Sequence, residues 1–455
     1  MNEIIEFLRK NDLIKRRNPN IEKIESLSLS KFIDLNRELE AFISSQHKPV
    51  KNPFFSFAAD PNLGGSDIEC RAISCRLKRI DNLARYALLY SEEVYIESYF
   101  DKFTYAGRNS NYDEMKKDFY NDLLVLNHIR PLLESGIIKI YSPTKRICFS
   151  CQAKEILGEK TGKLFDKAST ELLMEIKHNT SVVLESFNKK YAFKIIGADK
   201  YFDHGAVYID DNLPPIIKNR KSILTKFRKE KRVVLSSKII EELGFFEDLA
   251  HTFTHNTIYG LSTSYCLQTS FLTRSERQIE FINSLNRNPE IINNNLISEK
   301  YLSSIVPFVE DVSIKNLFKL REREMEAFIN YRKALKKSLI HFKNVKGRFT
   351  QKEAREFYSD VLEPKIAQLE IKVKKAKRDL VNKPIRSVIG IAGVISFGML
   401  SGLVPENLSQ LAQVIGLTKF GSDLIKDTLK IGDKERSILE DKYYFLWKVK
   451  KMASR

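Results

Sequence analysis

At 455 residues with 43% apolar side chains, the chain suffices for about two to four domains with real cores, which excludes a disordered or fibrous polypeptide. Five cysteines are too few, and odd in number, for a disulfide framework, so reduced thiols and a cytoplasmic setting are expected. The net charge of +18 is concentrated: residues 312–386 hold 21 Lys and Arg against 9 Asp and Glu, a net of +12 that suits a polyanionic partner, either nucleic acid or an anionic membrane surface.

The opening Met1-Asn2-Glu3-Ile4-Ile5-Glu6 has no basic start, apolar stretch or small-residue cleavage site, so no secretory signal is expected. Ile4, Ile5, Phe7 and Leu8, then Phe32, Ile33, Leu35, Leu39 and Phe42, recur at helical spacing and predict an N-terminal helical arm over 1–60. Pro53-Phe54-Phe55 and the turn-rich Asp60-Pro61-Asn62-Leu63-Gly64-Gly65 close it. A mixed α/β domain is expected over 61–306. In it Ile80, Leu83, Ala84, Ala87 and Leu88 share a helix face, Val94-Tyr95-Ile96 reads as a strand, 115–133 as a helix, and 137–141 as a second strand. Strand, helix, strand is the order of a βαβ unit, which implies parallel pairing. Residues 191–196 and 206–209 read as further strands around a loop with Asp203-His204-Gly205. Helices follow over 238–253 and 276–285, the second opened by the capping-box spacing Ser275-Glu276-Arg277-Gln278.

After Pro307 the pattern changes to long helices, a basic region over 307–386 and then an apolar Gly-rich helix with a basic aromatic C-terminal helix over 387–455. Phe318, Met325, Ile329, Leu335, Leu339 and Phe342 share one face, Gly347 ends the run, and Thr350-Gln351-Lys352-Glu353 reads as a capping box. Leu362, Ile366, Leu369, Val373, Ala376 and Leu380 then form a short heptad seam, with Pro364 predicting a kink or restart near its beginning. The expected fold class is α-rich mixed α/β, a central α/β domain followed by a long-helix C-terminal module.

Several residue sets carry candidate chemistry. On a helix Glu247, His251 and His255 fall at i, i+4 and i+8, so two imidazoles one turn apart with a carboxylate beside them suit a metal, the plain alternative being a polar helix face; His204 is a further candidate ligand. Cys148-Phe149-Ser150-Cys151 is a CxxC, and with Cys70 and Cys75 it would supply four thiolates for a structural zinc, against the plain alternative of partly buried cysteines. Gly158-Glu159-Lys160-Thr161-Gly162-Lys163-Leu164 is one residue short of a phosphate loop and has Leu where a hydroxyl should meet Mg²⁺, so it reads as a lysine-rich loop before a helix near Phe165. Lys372, Lys374, Lys375, Lys377 and Arg378 lie outside the heptad seam and offer either a phosphate- or lipid-binding surface or a solvated face.

Residues 387–404, SVIGIAGVISFGMLSGLV, carry no charge. As a helix they would span about 27 Å, just short of a hydrocarbon layer of roughly 30 Å. Gly390, Gly393, Gly398 and Gly402, with Phe397, suit close packing in a core, at an oligomer contact or in lipid, and basic residues on both sides disfavour a permanent span. The ending Lys442-Tyr443-Tyr444-Phe445-Leu446-Trp447-Lys448 is expected to dock its aromatics on a core rather than form an interfacial belt.

No nucleophile elbow, kinase signature or dinucleotide fingerprint is present, so catalysis stays open. The pattern leads to a bacterial sensor or effector acting through a protein partner, homo-oligomerisation or conditional, peripheral membrane contact, of a toxin-like or anti-phage kind. The alternatives are a metal-dependent hydrolase or nuclease built on His251 and His255, and a nucleic-acid-binding structural subunit.

Overall fold

The computed structural model of the protein describes residues 3–15, 18–45, 56–67, 70–104, 111–142, 159–188, 190–202, 205–267, 269–273, 275–285, 296–298, 311–346, 351–381, 438 and 441–454. The chain is α-rich mixed α/β and divides into two units, Met1–Lys300 and Tyr301–Arg455. The first carries both sheets, and the second is helical among its described residues.

In the first unit, helices α1 (Glu3–Lys10), α2 (Ile21–Ser26) and α3 (Leu29–Ser45) precede strand β1 (Ser56–Ala59). Helix α4 (Ile73–Tyr90) leads to β2 (Glu93–Glu97), and α5 (Tyr112–His128) with α6 (Arg130–Glu134) leads to β3 (Ile138–Tyr141). The βαβ order therefore does yield parallel pairing, with Val94 opposite Ile138 and Ile96 opposite Ile140. One expected helix over 115–133 is two, because Pro131 has no N–H to continue the ladder and instead opens α6 in its first turn.

From β3 the chain departs to build a second, antiparallel sheet. Helix α7 (Glu159–Asn179) is already helical through the lysine-rich stretch read as a loop. It is followed by β4 (Ser181–Phe187), β5 (Lys190–Ile196), β6 (Ala206–Asp210), α8 (Pro215–Lys218), α9 (Lys221–Glu230), β7 (Arg232–Val234), α10 (Ser237–Glu242) and the long α11 (Phe245–Leu267). The sheet order is β6-β5-β4-β7. Alternation puts Val182, Leu184, Phe193, Ile195 and Val233 into one core with Leu172 and Ile176 of α7, Ile240 of α10 and Phe246, Leu249 and Phe253 of α11. Full burial of each large side chain there stabilises by about 1.5–3 kcal/mol.

The chain then returns to the parallel sheet. Strand β8 (Ser270–Thr273) pairs with β1 on the side away from β2, and α12 (Glu276–Leu285) carries it outward to β9 (Leu296–Ser298). The order is β3-β2-β1-β8-β9, all parallel. The central strand β1, buried at every position, falls just before the residue expected to close a helical arm, and Asp60 extends it by donating its N–H to Leu272 O at 2.8 Å. Helix α11 lies directly on this sheet: a Cβ on Gly260 would come within 2.3 Å of the Phe271 ring, so only glycine permits the approach.

In the second unit, α13 (Ile314–Arg323), α14 (Met325–Lys346), α15 (Gln351–Phe357), α16 (Glu363–Val381) and α17 (Tyr444–Ala453) are described. Leu362, Ile366, Leu369 and Val373 of the expected seam are buried. Between α15 and α16 the backbone widens into a π turn, Tyr358–Leu362, with the Glu363 N–H bonded to Tyr358 O. This is the local answer to Pro364, whose missing N–H and bulky ring are incompatible with a tight helical turn before it. The aromatic C-terminal helix docks inward as expected: Phe445 lies 5.2 Å from Phe328 and stacks on Tyr331 at 5.7 Å, with Trp447 also buried.

Candidate functional site

In an open parallel sheet the connections on either side of a point where strand order reverses diverge and leave a crevice at the carboxyl ends of the strands. Here that point lies between β1 and β8, since α4 leads from β1 to β2 on one side and α12 leads from β8 to β9 on the other.

The β1 wall is the loop after Ala59. The Asp60 carboxylate accepts from the Asn62 N–H at 2.8 Å, and backbone bonds Gly64 N to Asp60 O and Ser66 N to Pro61 O fold the loop on itself. Gly65, at φ +79°, sits against Arg76 O, Ile80 and Val125, where any side chain would be strained. Four further carbonyls of the loop and the residues after it accept from buried side chains. Arg76 Nε donates to Gly65 O at 2.7 Å, Arg79 Nη2 to Ser66 O at 2.7 Å and Cys70 O at 3.1 Å, and the Tyr99 hydroxyl to Gly64 O.

Two ionic groups anchor these donors. Arg76 is 1% exposed and Asp122 fully buried, with Arg76 Nη2 2.5 Å from Asp122 Oδ1. Lys102 bridges Asp122 Oδ2 at 3.0 Å and Asp67 Oδ2 at 2.5 Å. Burial pushes the Asp122 carboxyl up to about 6 against the pull of Lys102 and Arg76, which leaves it mainly ionised at neutral pH. Burial also acts on Asp67, but there the Lys102 ammonium prevails and holds the carboxyl below its usual range. Farther along the same edge, Glu40 of α3 accepts from the hydroxyls of Ser98 and Ser142, which follow β2 and β3.

The opposite wall comes from β8, α11, α12 and the turn after β5. Ser275 Oγ accepts from the Gln278 N–H at 3.2 Å, one half of the expected capping box. The other half does not form: the Gln278 side-chain oxygen accepts instead from the Thr273 hydroxyl, while the Ser275 N–H donates to Thr273 Oγ1 at 3.1 Å. Phe253 holds Tyr201 and Phe202 edge-on at 6.2 and 6.4 Å. Asp60, Asn62, Arg79, Asn256, Thr273 and Gln278 supply the polar lining of the crevice between the walls. Its free centre is about 20 Å³, room for one water molecule. Asn256, 3% exposed as a residue, turns toward this crevice from α11.

The residues singled out from the sequence lie elsewhere. Glu247, His251 and His255 share one face of α11, with the two imidazole rings stacked 5.9 Å apart, but Glu247 turns to Lys177 at 3.2 Å. The His255 imidazole titrates lower than usual because desolvation and then the neighbouring His251 disfavour its charge. Among the described residues no group of three or more His, Cys, Asp or Glu is arranged to hold a metal. Cys70 and Cys75 are free thiols whose mutual hydrogen bond, then burial, pushes the Cys75 thiol up. Cys148, Cys151 and His204 lie outside the described residues, as do Gly390, Gly393, Phe397, Gly398 and Gly402.

On α16, Lys372 reaches Asp441 at 3.4 Å and Lys374 reaches Glu370 at 3.3 Å, while Lys375 is exposed. Lys377 and Arg378 belong to the same helix. Among the described residues no helix is long and apolar enough to cross a membrane. Compared with models of known families, with curated proteins and with solved structures, the chain finds no match.

The crevice residues left a faint trace in the sequence. An apolar run ending in Asp60-Pro61-Asn62 marks a strand as well as the turn it was read for. Asn256 stands next to His255 but is buried where His255 is exposed, and a polar residue on the buried side of α11 is itself a signal.

Proposed function

We propose that this protein is a two-part sensor and effector, in which the α/β unit binds a small polar ligand in the crevice between β1 and β8. The helical unit would carry the response, through self-association or contact with an anionic membrane surface, in a bacterial defence or toxin-like role. The observation that carries the ligand reading is the convergence of Asp60, Asn62, Asn256, Thr273 and Gln278 on a crevice at the carboxyl ends of parallel strands. The lining combines carboxylate, amide, hydroxyl and guanidinium groups, which favours a ligand with both donors and acceptors. The narrow free centre suits the insertion of one small polar head group, with Tyr201, Phe202 and Phe253 framing it.

The test is thermal unfolding of the full chain with nucleosides, nucleotides, amino acids and sugars added singly. A compound at about 100 times its Kd should stabilise by about 2.7 kcal/mol. That gain should vanish in Asn256→Leu, which removes the amide without leaving a hole. A stabilising compound whose effect survives Asn256→Leu, or no stabilising compound in any class, counts against the crevice as the sensing site.

A further inference from the structure

Of the two faces of the antiparallel sheet, the described helices cover one, and the other exposes apolar side chains around a buried centre at Val183 and Ala192. Phe187, Ile196, Val207, Ile209 and Val234 are five of the ten large apolar side chains exposed among the described residues, at 41–63% each, and strand alternation puts all five on the same side of this sheet. The register makes them contiguous. Val207, Lys194, Val183 and Val234 form one row across all four strands, and Ile209, Ala192, Glu185 and Arg232 form the next, with Val183 and Ala192 themselves buried. Scattered exposed apolar residues need no explanation, but a concentration on one face marks an interaction surface.

The charge on and around that face has a basic excess. Arg232 is matched by Glu185 at 3.3 Å and Lys190 by Asp211 at 2.9 Å, whereas Lys194, in the middle of the apolar row, has no ion-pair partner among the described residues. Beside the β7 edge, residues 218–232 carry eight Lys and Arg against one Glu, and Lys226, Arg228, Lys229 and Lys231 are all exposed.

We propose that the open face of the antiparallel sheet is a docking surface for an acidic amphipathic helix of a partner protein. Four strands spaced about 4.8 Å apart make a platform about 15 Å wide, enough to seat a helix about 10–12 Å in diameter. Helix-on-sheet is also how the inner face of the same sheet is covered, by α7, α10 and α11. Glutamates flanking an apolar stripe would meet Lys194 and the basic flank. Other occupants fit less well. A second copy of the chain would bring Lys194 and the basic flank against their own like charges. Single-stranded nucleic acid and membrane interfaces favour exposed aromatics, and Phe187 is the only aromatic among the five.

The test measures fluorescence anisotropy of a labelled synthetic helical peptide, leucines along one face and glutamates on the others, titrated with the full chain. Saturable binding is expected, weakened at least ~10-fold, or ~1.4 kcal/mol, by Val207→Glu with Val234→Glu. It should also weaken in Lys194→Glu, which introduces no charge at an apolar position and serves if the double variant misfolds. A peptide with lysines replacing the glutamates should not bind. The proposal is overturned if the acidic peptide fails to bind or binds all variants equally. It is equally overturned if those substitutions abolish instead a concentration-dependent self-association, or binding to phosphatidylserine vesicles or to poly(U).

Discussion

The two sheets of the α/β unit bury themselves in different ways, and the difference separates two kinds of binding surface. The parallel sheet places buried side chains throughout β1 and β8, so what it offers to a ligand is the ends of its strands. Those ends are held by Arg76, Asp122 and Lys102, charges that exist to fix one loop. The antiparallel sheet keeps one face in the core and turns the other outward, so what it offers is area. A crevice suits a small molecule whose polar groups satisfy a few fixed partners, whereas a broad apolar face with a basic rim suits a macromolecule.

The comparison is broken most harshly at the ionic anchor. Asp122→Asn leaves Arg76 buried without its counter-charge and should cost about 3–5 kcal/mol, read as a lower urea midpoint at constant slope; a loss below about 1 kcal/mol would mean that the β1 loop does not depend on that charge. On the antiparallel sheet, Leu184→Ala removes a fully buried side chain and should cost about 2–5 kcal/mol. Val207→Thr on the open face should change stability by no more than about 0.5 kcal/mol. Equal losses at Leu184 and Val207 would show that both faces are covered. Between these extremes, Gly260→Ala forces α11 away from Phe271 and should cost about 1–3 kcal/mol.

The smallest expected effect is on pH dependence. His255 has a lowered folded-state pKa, so the unfolded chain takes up its proton first, near the ordinary imidazole value of about 6.5. The folded state therefore loses stability as pH falls below that value. His255→Gln should flatten the decline between about pH 7 and 5.5 in a series of urea titrations, and an unaltered slope would rule out this histidine as its source.

Much of this architecture is legible in the sequence, and the exceptions have physical reasons. Helices α1, α3, α4 and α12 announce themselves through apolar spacing, and so does the pair β2 and β3, because a helix of the right length separates them. Strands β1 and β8 are four residues each and buried at every position, so they have no alternation to detect. β4 buries Val182, Val183 and Leu184 in succession, so it too shows no period-two pattern. The basic stretch 218–232 was overshadowed by the larger excess at 312–386, although it flanks an exposed apolar face. The crevice was the least legible element, since Asp60 and Asn256 are brought together only by pairing strands far apart in the chain.

That separation has a consequence for biosynthesis. Ala58 pairs with Phe271, and every pairing of the antiparallel sheet falls within residues 181–234 between them. At about 5–20 residues per second, a ribosome needs about 10–40 s after making β1 to deliver its partner β8. During that interval the antiparallel sheet can complete its hydrogen bonds while β1 has an edge with nothing to pair with, the condition in which strands recruit the wrong neighbour. The central strand of the unit is thus finished late, after every strand of the antiparallel sheet has been made.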